Sequence, residues 1–162
     1  MKKIIKNLEE MEKFATEIAN KIYSAPVPVN LDKATVVGLY GDLGSGKTTF
    51  TKSFISAFSI KNTVTSPTFV IEKIYKIPKQ NKKVGSATPN FCDFEHIIHI
   101  DAYRLQSGEE MKELGWKEII NNPKNIILIE WPEKIADILP KNTQKIEFTF
   151  VDENRREVLT NF

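Results

Sequence analysis

Residues 41–48 read Gly-Asp-Leu-Gly-Ser-Gly-Lys-Thr, matching the pattern G-x-x-x-x-G-K-[ST], and their flanks dictate how the chain folds around them. Upstream, residues 34–40 (Ala-Thr-Val-Val-Gly-Leu-Tyr) are apolar and β-branched without alternation, which describes a strand buried on both faces. Downstream, Phe50, Phe54 and Phe58 recur at helical spacing. Strand, glycine loop and helix form the setting in which this motif cradles a polyphosphate. The glycines let the backbone curl so that successive N–H groups converge, and the helix N-terminus adds the positive end of its dipole. The candidate nucleotide-binding residues are therefore Gly41, Asp42, Leu43, Gly44, Ser45, Gly46, Lys47, Thr48 and Thr49. In this reading Lys47 reaches the β- and γ-phosphates, the Thr48 hydroxyl ligates Mg²⁺, and Thr49 is a neighbouring phosphate contact.

A strand buried on both faces needs helices on both sides of its sheet, and the rest of the chain supplies them. Leu8, Met11, Ala15, Ile18 and Ile22 keep helical spacing behind an Asn7/Glu10 capping box, and this helix ends before Pro26 and Pro28. Strands are expected over residues 69–77, 96–102 and 125–131. Residues 78–93, rich in Lys, Asn, Gly, Ser and Pro, read as an exposed loop. Ser107 and Glu110 suggest a short helix stopped by Gly115, and residues 133–139 suggest a helix of two turns before Pro140. The alternating residues 145–152 predict a more peripheral strand, paired with residues 157–161. The expected architecture is one α/β domain over residues 1–162, a P-loop fold whose mostly parallel central sheet is flanked by helices and carries antiparallel edge strands.

A chain of 162 residues can bury a core without disulfides, and its one cysteine, Cys92, offers neither a disulfide framework nor a zinc site. The apolar runs are strand-sized and too short to cross a bilayer, and Glu9, Glu10 and Glu12 interrupt what a signal peptide would keep apolar. These features predict a cytoplasmic protein with no membrane contact. A net charge of +2 with dispersed lysines lacks the concentrated basic face of an autonomous nucleic-acid binder.

A nucleotide site of this kind also needs a carboxylate near the metal and a group that orients water, both at the C-terminal ends of neighbouring strands. Two apolar runs end this way, His96-Ile-Ile-His-Ile-Asp101 and Asn125-Ile-Ile-Leu-Ile-Glu130. Either acid could instead simply begin the following turn. His99 and Asp101 share a strand face, so His99 is placed to hydrogen-bond Asp101, whereas His96 faces the other way.

GDLGSGKTT, then SPTF at residues 66–69, HIDAYRL at 99–105 and IEWPEK at 129–134 occur in the order and approximate spacing of the TsaE (YjeE) family, and the chain resembles that family over nearly its whole length. The resemblance implies a bacterial ATPase needed for threonylcarbamoylation of the adenosine beside the anticodon in tRNAs that read ANN codons. It implies ATP and Mg²⁺ as cofactors and TsaD and TsaB as partners, with tRNA met only indirectly through their complex. It makes Thr48 and Glu130 the Mg²⁺ contacts and assigns Lys47 and Asp101 to catalysis, Asp101 by orienting water or holding the outer shell of the metal. Thr65, Pro67 and Thr68 would belong either to a switch near the γ-phosphate or simply to a turn before a strand, and Tyr103 and Arg104 to a surface or partner contact. Trp131 would either pack in the core or lie over the nucleotide. The interval between SPTF and HIDAY is longer than in typical members. The excess lies in residues 78–93, where Lys79, Lys82 and Lys83 read as a solvated loop or as tRNA contacts.

A small P-loop kinase would share Lys47, Thr48 and a strand-end carboxylate, but it closes an arginine-rich lid, and this chain offers Arg104, Arg155 and Arg156. The last two either reach the nucleotide or form a solvated hairpin. Guanine specificity would need an Asn-Lys-x-Asp loop, which Asn81-Lys-Lys-Val84 fails to supply. An ATP-gated binding module, in which hydrolysis only resets the protein, shares every motif with an energy-coupling ATPase.

Overall fold

Val37 and Leu39 are fully buried and Val36 nearly so, on opposite faces of one strand, and the whole molecule is arranged around that double burial. The computed structural model describes residues 1–24, 32–60, 71–78 and 94–162. In chain order its regular elements are β1 (Lys2–Ile5), α1 (Leu8–Ser24), β2 (Thr35–Tyr40), α2 (Lys47–Ala57), β3 (Glu72–Lys76), β4 (His96–Asp101), α3 (Gly108–Glu113), α4 (Trp116–Ile120), β5 (Asn125–Glu130), β6 (Gln144–Phe150) and β7 (Arg156–Thr160). The described strands form one seven-stranded sheet in the order β1-β7-β6-β2-β5-β4-β3. The central β6, β2, β5 and β4 are parallel, while β3 and the β7–β1 pair add antiparallel flanks. This is the expected α/β fold.

Strand periodicity sorts the core into two layers. Val37, Leu39, Ile97, Ile126, Leu128, Ile146 and Phe148 pack under α1 and α2, where Phe14, Phe50, Phe54 and Phe58 make a run of ring contacts 5.3–5.9 Å between centroids. Val36, Ile98, Ile100, Ile127 and Ile129 face Met111, Trp116 and Ile120 of α3 and α4 on the other side. The capping box of α1 forms with a shift. Asn7 Oδ1 accepts from the Glu10 N–H at 2.9 Å, and the Glu10 carboxylate accepts from the Lys6 N–H at 2.8 Å, one residue earlier than the motif requires.

The structure adds elements that the sequence reading does not name and corrects others. The N-terminal lysines head a strand, β1, because an outermost strand tolerates charge; Ile5 is buried while Ile4 is exposed. The 145–152 strand is interior to the sheet, between β2 and β7, rather than peripheral. Its alternation reflects one uncovered face, not an edge position. The two-turn helix expected over 133–139 is a 3-10 turn at Pro132–Ile135, continued by an Ile138 N–H to Ile135 carbonyl bond of 3.1 Å. Three-residue spacing keeps Ile135 and Ile138 on one side, toward the core. Ser107 makes no side-chain cap on α3, and α4 follows Gly115 as an additional short helix. Pro26, Pro28, residues 65–70 and the lysine-rich 79–93 lie outside the described residues. No described helix is long and apolar enough to cross a membrane.

Candidate functional site

β2 ends at Tyr40, and the chain turns through 41–46 into α2 at the C-terminal rim of the parallel strands. Two turns of backbone depend on glycine. Gly41 has φ +130°, and a Cβ there would lie 2.2 Å from the Phe148 carbonyl oxygen. Gly46, the residue before α2, has φ +109°, again a left-handed conformation that side chains resist. Gly41→Ala is therefore expected to cost about 3 kcal/mol or more, a fall in Tm of roughly 6–12 °C for a chain of this length. Thermal unfolding followed by circular dichroism measures it, and an unchanged Tm would mean the loop does not hold this conformation.

The loop delivers Lys47 as the first residue of α2, with its side chain almost wholly buried. Its ammonium donates to the carbonyls of Gly41 (2.5 Å) and Asp42 (2.8 Å) and lies 4.0 Å from the centre of the Trp131 ring. Burial pulls the Lys47 pKa down, and the carboxylates of Glu130, Glu133, Asp101 and Asp42 oppose that pull. Ser45 Oγ is buried with no hydrogen-bond partner among the described residues, an orphaned polar atom of the kind a ligand satisfies.

Parallel register brings the two strand-end acids side by side, since Asp101 of β4 is opposite Glu130 of β5, which is opposite Leu39 of β2. By alternation both acids lie on the α2 face of the sheet. The Thr48 hydroxyl, one residue into α2, donates to Glu130 Oε2 at 2.8 Å, and His99 Nε2 lies 2.8 Å from Glu130 Oε1. Both carboxylate oxygens of Glu130 are thus held. A hydroxyl and a carboxylate are the oxygen donors that Mg²⁺ takes from protein when phosphates and water complete its octahedron, so these residues fit that ion.

The structure relocates one sequence expectation. His99 shares the face of Asp101, as expected, but the hydrogen-bond partner of its Nε2 is Glu130 at the end of the neighbouring parallel strand. Asp101 Oδ1 accepts the Tyr103 N–H at 3.1 Å, capping the 3-10 turn at Ala102–Arg104, so the acid does begin a turn while standing at the rim. Trp131 has φ +59°, which swings its ring over Lys47 and within 5.2 Å of the Tyr103 ring. That contact was legible only in part: Pro132 bars the residue before it from the right-handed helical region, but the sequence does not say where the ring goes. Arg155 pairs with Asp152 in the β6–β7 turn, Nε to Oδ2 2.6 Å, whereas the stem of Arg156 passes beside Gly46 and its guanidinium donates to carbonyls of the same turn. The proposed switch residues Thr65, Pro67 and Thr68 lie outside the described residues.

Comparison with known proteins gives a family. A family model described as "Threonylcarbamoyl adenosine biosynthesis protein TsaE" matches residues 5–158. The chain is 38% identical over 147 residues to the tRNA threonylcarbamoyladenosine biosynthesis protein TsaE of Rickettsia typhi, covering 90% of each chain. It is 41% identical over 128 residues to the protein of that name from Rickettsia prowazekii, covering 78% of this chain and 77% of the relative. The crystal structure of YdiB from Bacillus subtilis superposes with a TM-score of 0.67 at 28% identity, covering 99% of this chain and 83% of that one.

Proposed function

The chain belongs to the TsaE family of tRNA threonylcarbamoyladenosine biosynthesis proteins, and from that premise we propose that it binds and hydrolyses ATP to drive turnover of a TsaB–TsaD complex. The observation that carries the reading is the meeting of Thr48 and Glu130, 2.8 Å apart and 82 residues apart in sequence, beside a buried lysine at the start of a helix. A structural turn has no use for that combination. A triphosphate does, because it needs a cation, convergent N–H donors and oxygen ligands for its metal.

In this reading the backbone N–H groups of 44–49 hold the phosphates, and Lys47 leaves its loop carbonyls to meet the β- and γ-phosphate oxygens. Thr48 and Glu130 would hold Mg²⁺, which supplies charge neutralisation of the phosphate oxygens when bound. His99 orients Glu130 through its Nε2–H, and Asp101 is placed to orient the attacking water. Phosphate and ADP released per ATP consumed, measured first with the chain alone and then with TsaB, TsaD and tRNA added in turn, tests the proposal. Absence of hydrolysis in every mixture would overturn it.

The two acids separate by their kinetics. Glu130→Gln should raise the Mg²⁺ concentration needed for half-maximal turnover by about tenfold, because a ligand of the ground-state complex is weakened. Asp101→Asn should lower kcat by roughly tenfold to a hundredfold while leaving ATP affinity within about threefold, because a water-orienting group matters when the bond breaks. Calorimetric ATP affinity beside steady-state turnover decides between them, and an Asp101→Asn protein that binds ATP poorly but hydrolyses it normally would reverse the roles.

A further inference from the structure

On the side of β2 away from the carboxylates, β6 runs to the same rim of the sheet as the phosphate loop. Ile146 and Phe148 of β6 face α2 and are buried, Phe148 against the Phe50 ring at 5.6 Å. Phe150 is the next residue on that face and the last of the strand, and it is 55% exposed. Directly across the antiparallel ladder stands Arg156, which is likewise the next residue on its face beyond buried Val158. The pair therefore extends the α2-side core by one layer, out to the rim where the phosphate loop opens.

The guanidinium lies over the Phe150 ring, 4.5 Å from its centre. Its Nη1 donates to the carbonyls of Asp152 (2.6 Å), Arg155 (3.0 Å) and Glu153 (3.5 Å), so the tip of the β6–β7 turn fixes the orientation of the planar group. The Arg156 stem passes beside the start of α2: a Cβ placed on Gly46 would be 3.9 Å from Arg156 Cγ. A lone exposed phenylalanine needs no explanation, but here a planar cation held by backbone oxygens lies over a flat aromatic ring, next to a loop that suits phosphates.

We propose that the Phe150–Arg156 pair is the stacking platform for the purine base of the bound nucleoside triphosphate. The inference rests on the ATP reading of the phosphate loop and adds the base to it. Aromatic rings and guanidinium planes hold nucleobases by the face, an interaction open to any base and strongest for the larger purine surface. The α-phosphate and ribose would bridge from the helix N-terminus to the platform, which leaves the γ-phosphate pointing to the opposite side of β2, toward Glu130 and Asp101.

The test compares two probes, Mg²⁺-ATP and Mg²⁺-tripolyphosphate, by calorimetry on the full chain. Phe150→Ala should weaken ATP by about tenfold or more and tripolyphosphate by less than about twofold. Phe150→Tyr, which keeps the ring, should restore ATP binding. Retained tripolyphosphate affinity also shows that the variant is folded. ATP affinity unchanged in Phe150→Ala, or equal losses for both probes, would overturn the platform alone. A wild-type chain that binds neither probe would overturn the ATP reading, and the platform with it.

Discussion

Lys47→Ala is expected to lower ATP turnover by about 10²–10³-fold, the scale on which one preorganised charge aimed at a developing anion contributes to catalysis. Burial pulls the Lys47 pKa down and the carboxylates of Glu130, Glu133, Asp101 and Asp42 oppose that pull, in surroundings that screen charge poorly. Its bonds to the Gly41 and Asp42 carbonyls and its place over Trp131 hold the ammonium at the mouth of the loop. Removing it forfeits two hydrogen bonds and also relieves a desolvated charge, so the fold should survive, with Tm and far-ultraviolet circular dichroism near wild type. A folded Lys47→Ala protein with undiminished turnover would remove the loop from the mechanism.

A larger change is expected from the partners. The chain contains Arg104, Arg155 and Arg156 as its whole stock of arginine. Arg155 is tied to Asp152, and Arg156 lies over Phe150 on the side of β2 away from the carboxylates. Neither of these two is placed to steady charge on a γ-phosphate lying toward Glu130, and Arg104 is exposed in the turn after Asp101, on the surface proposed to meet the partners. A P-loop site that lacks such a group is slow, and one supplied by another protein raises the rate by about 10³–10⁵-fold. The proposed docking to TsaB and TsaD should therefore raise turnover over the isolated chain by a factor approaching that range. Leu43, 85% exposed on the loop, and Tyr103, 52% exposed beside Trp131, offer apolar contacts around the site for such docking. If ATP favours docking, docking must tighten ATP by the same factor. With a net charge of +2 the chain alone should bind tRNA weakly and without sequence preference. Equal turnover with and without TsaB and TsaD would contradict the partner reading and favour the kinase alternative.

Local chemistry determined the phosphate loop, the strand before it and the helix after it. Glycines with positive φ, an unalternating apolar run and a four-residue phenylalanine spacing each act within a few residues, so one stretch of sequence contains the whole cause. The same holds for the two acids, each of which closes an apolar run and therefore stands at a strand end. What the sequence left open were matters of pairing. Nothing within residues 144–150 says whether β2 or solvent lies beside them, and nothing near His99 says that Glu130, 31 residues away, is its hydrogen-bond partner in place of Asp101. The family resemblance named Glu130 and Thr48 as companions, but only the parallel register of β4, β5 and β2 brings them within 2.8 Å, because strand order is fixed by burial of whole faces summed over the sheet and not by any one segment. The pairing of Phe150 with Arg156 beside Gly46 was decided the same way, by an antiparallel ladder that carries two unremarkable residues past the last buried layer to the edge of the phosphate loop.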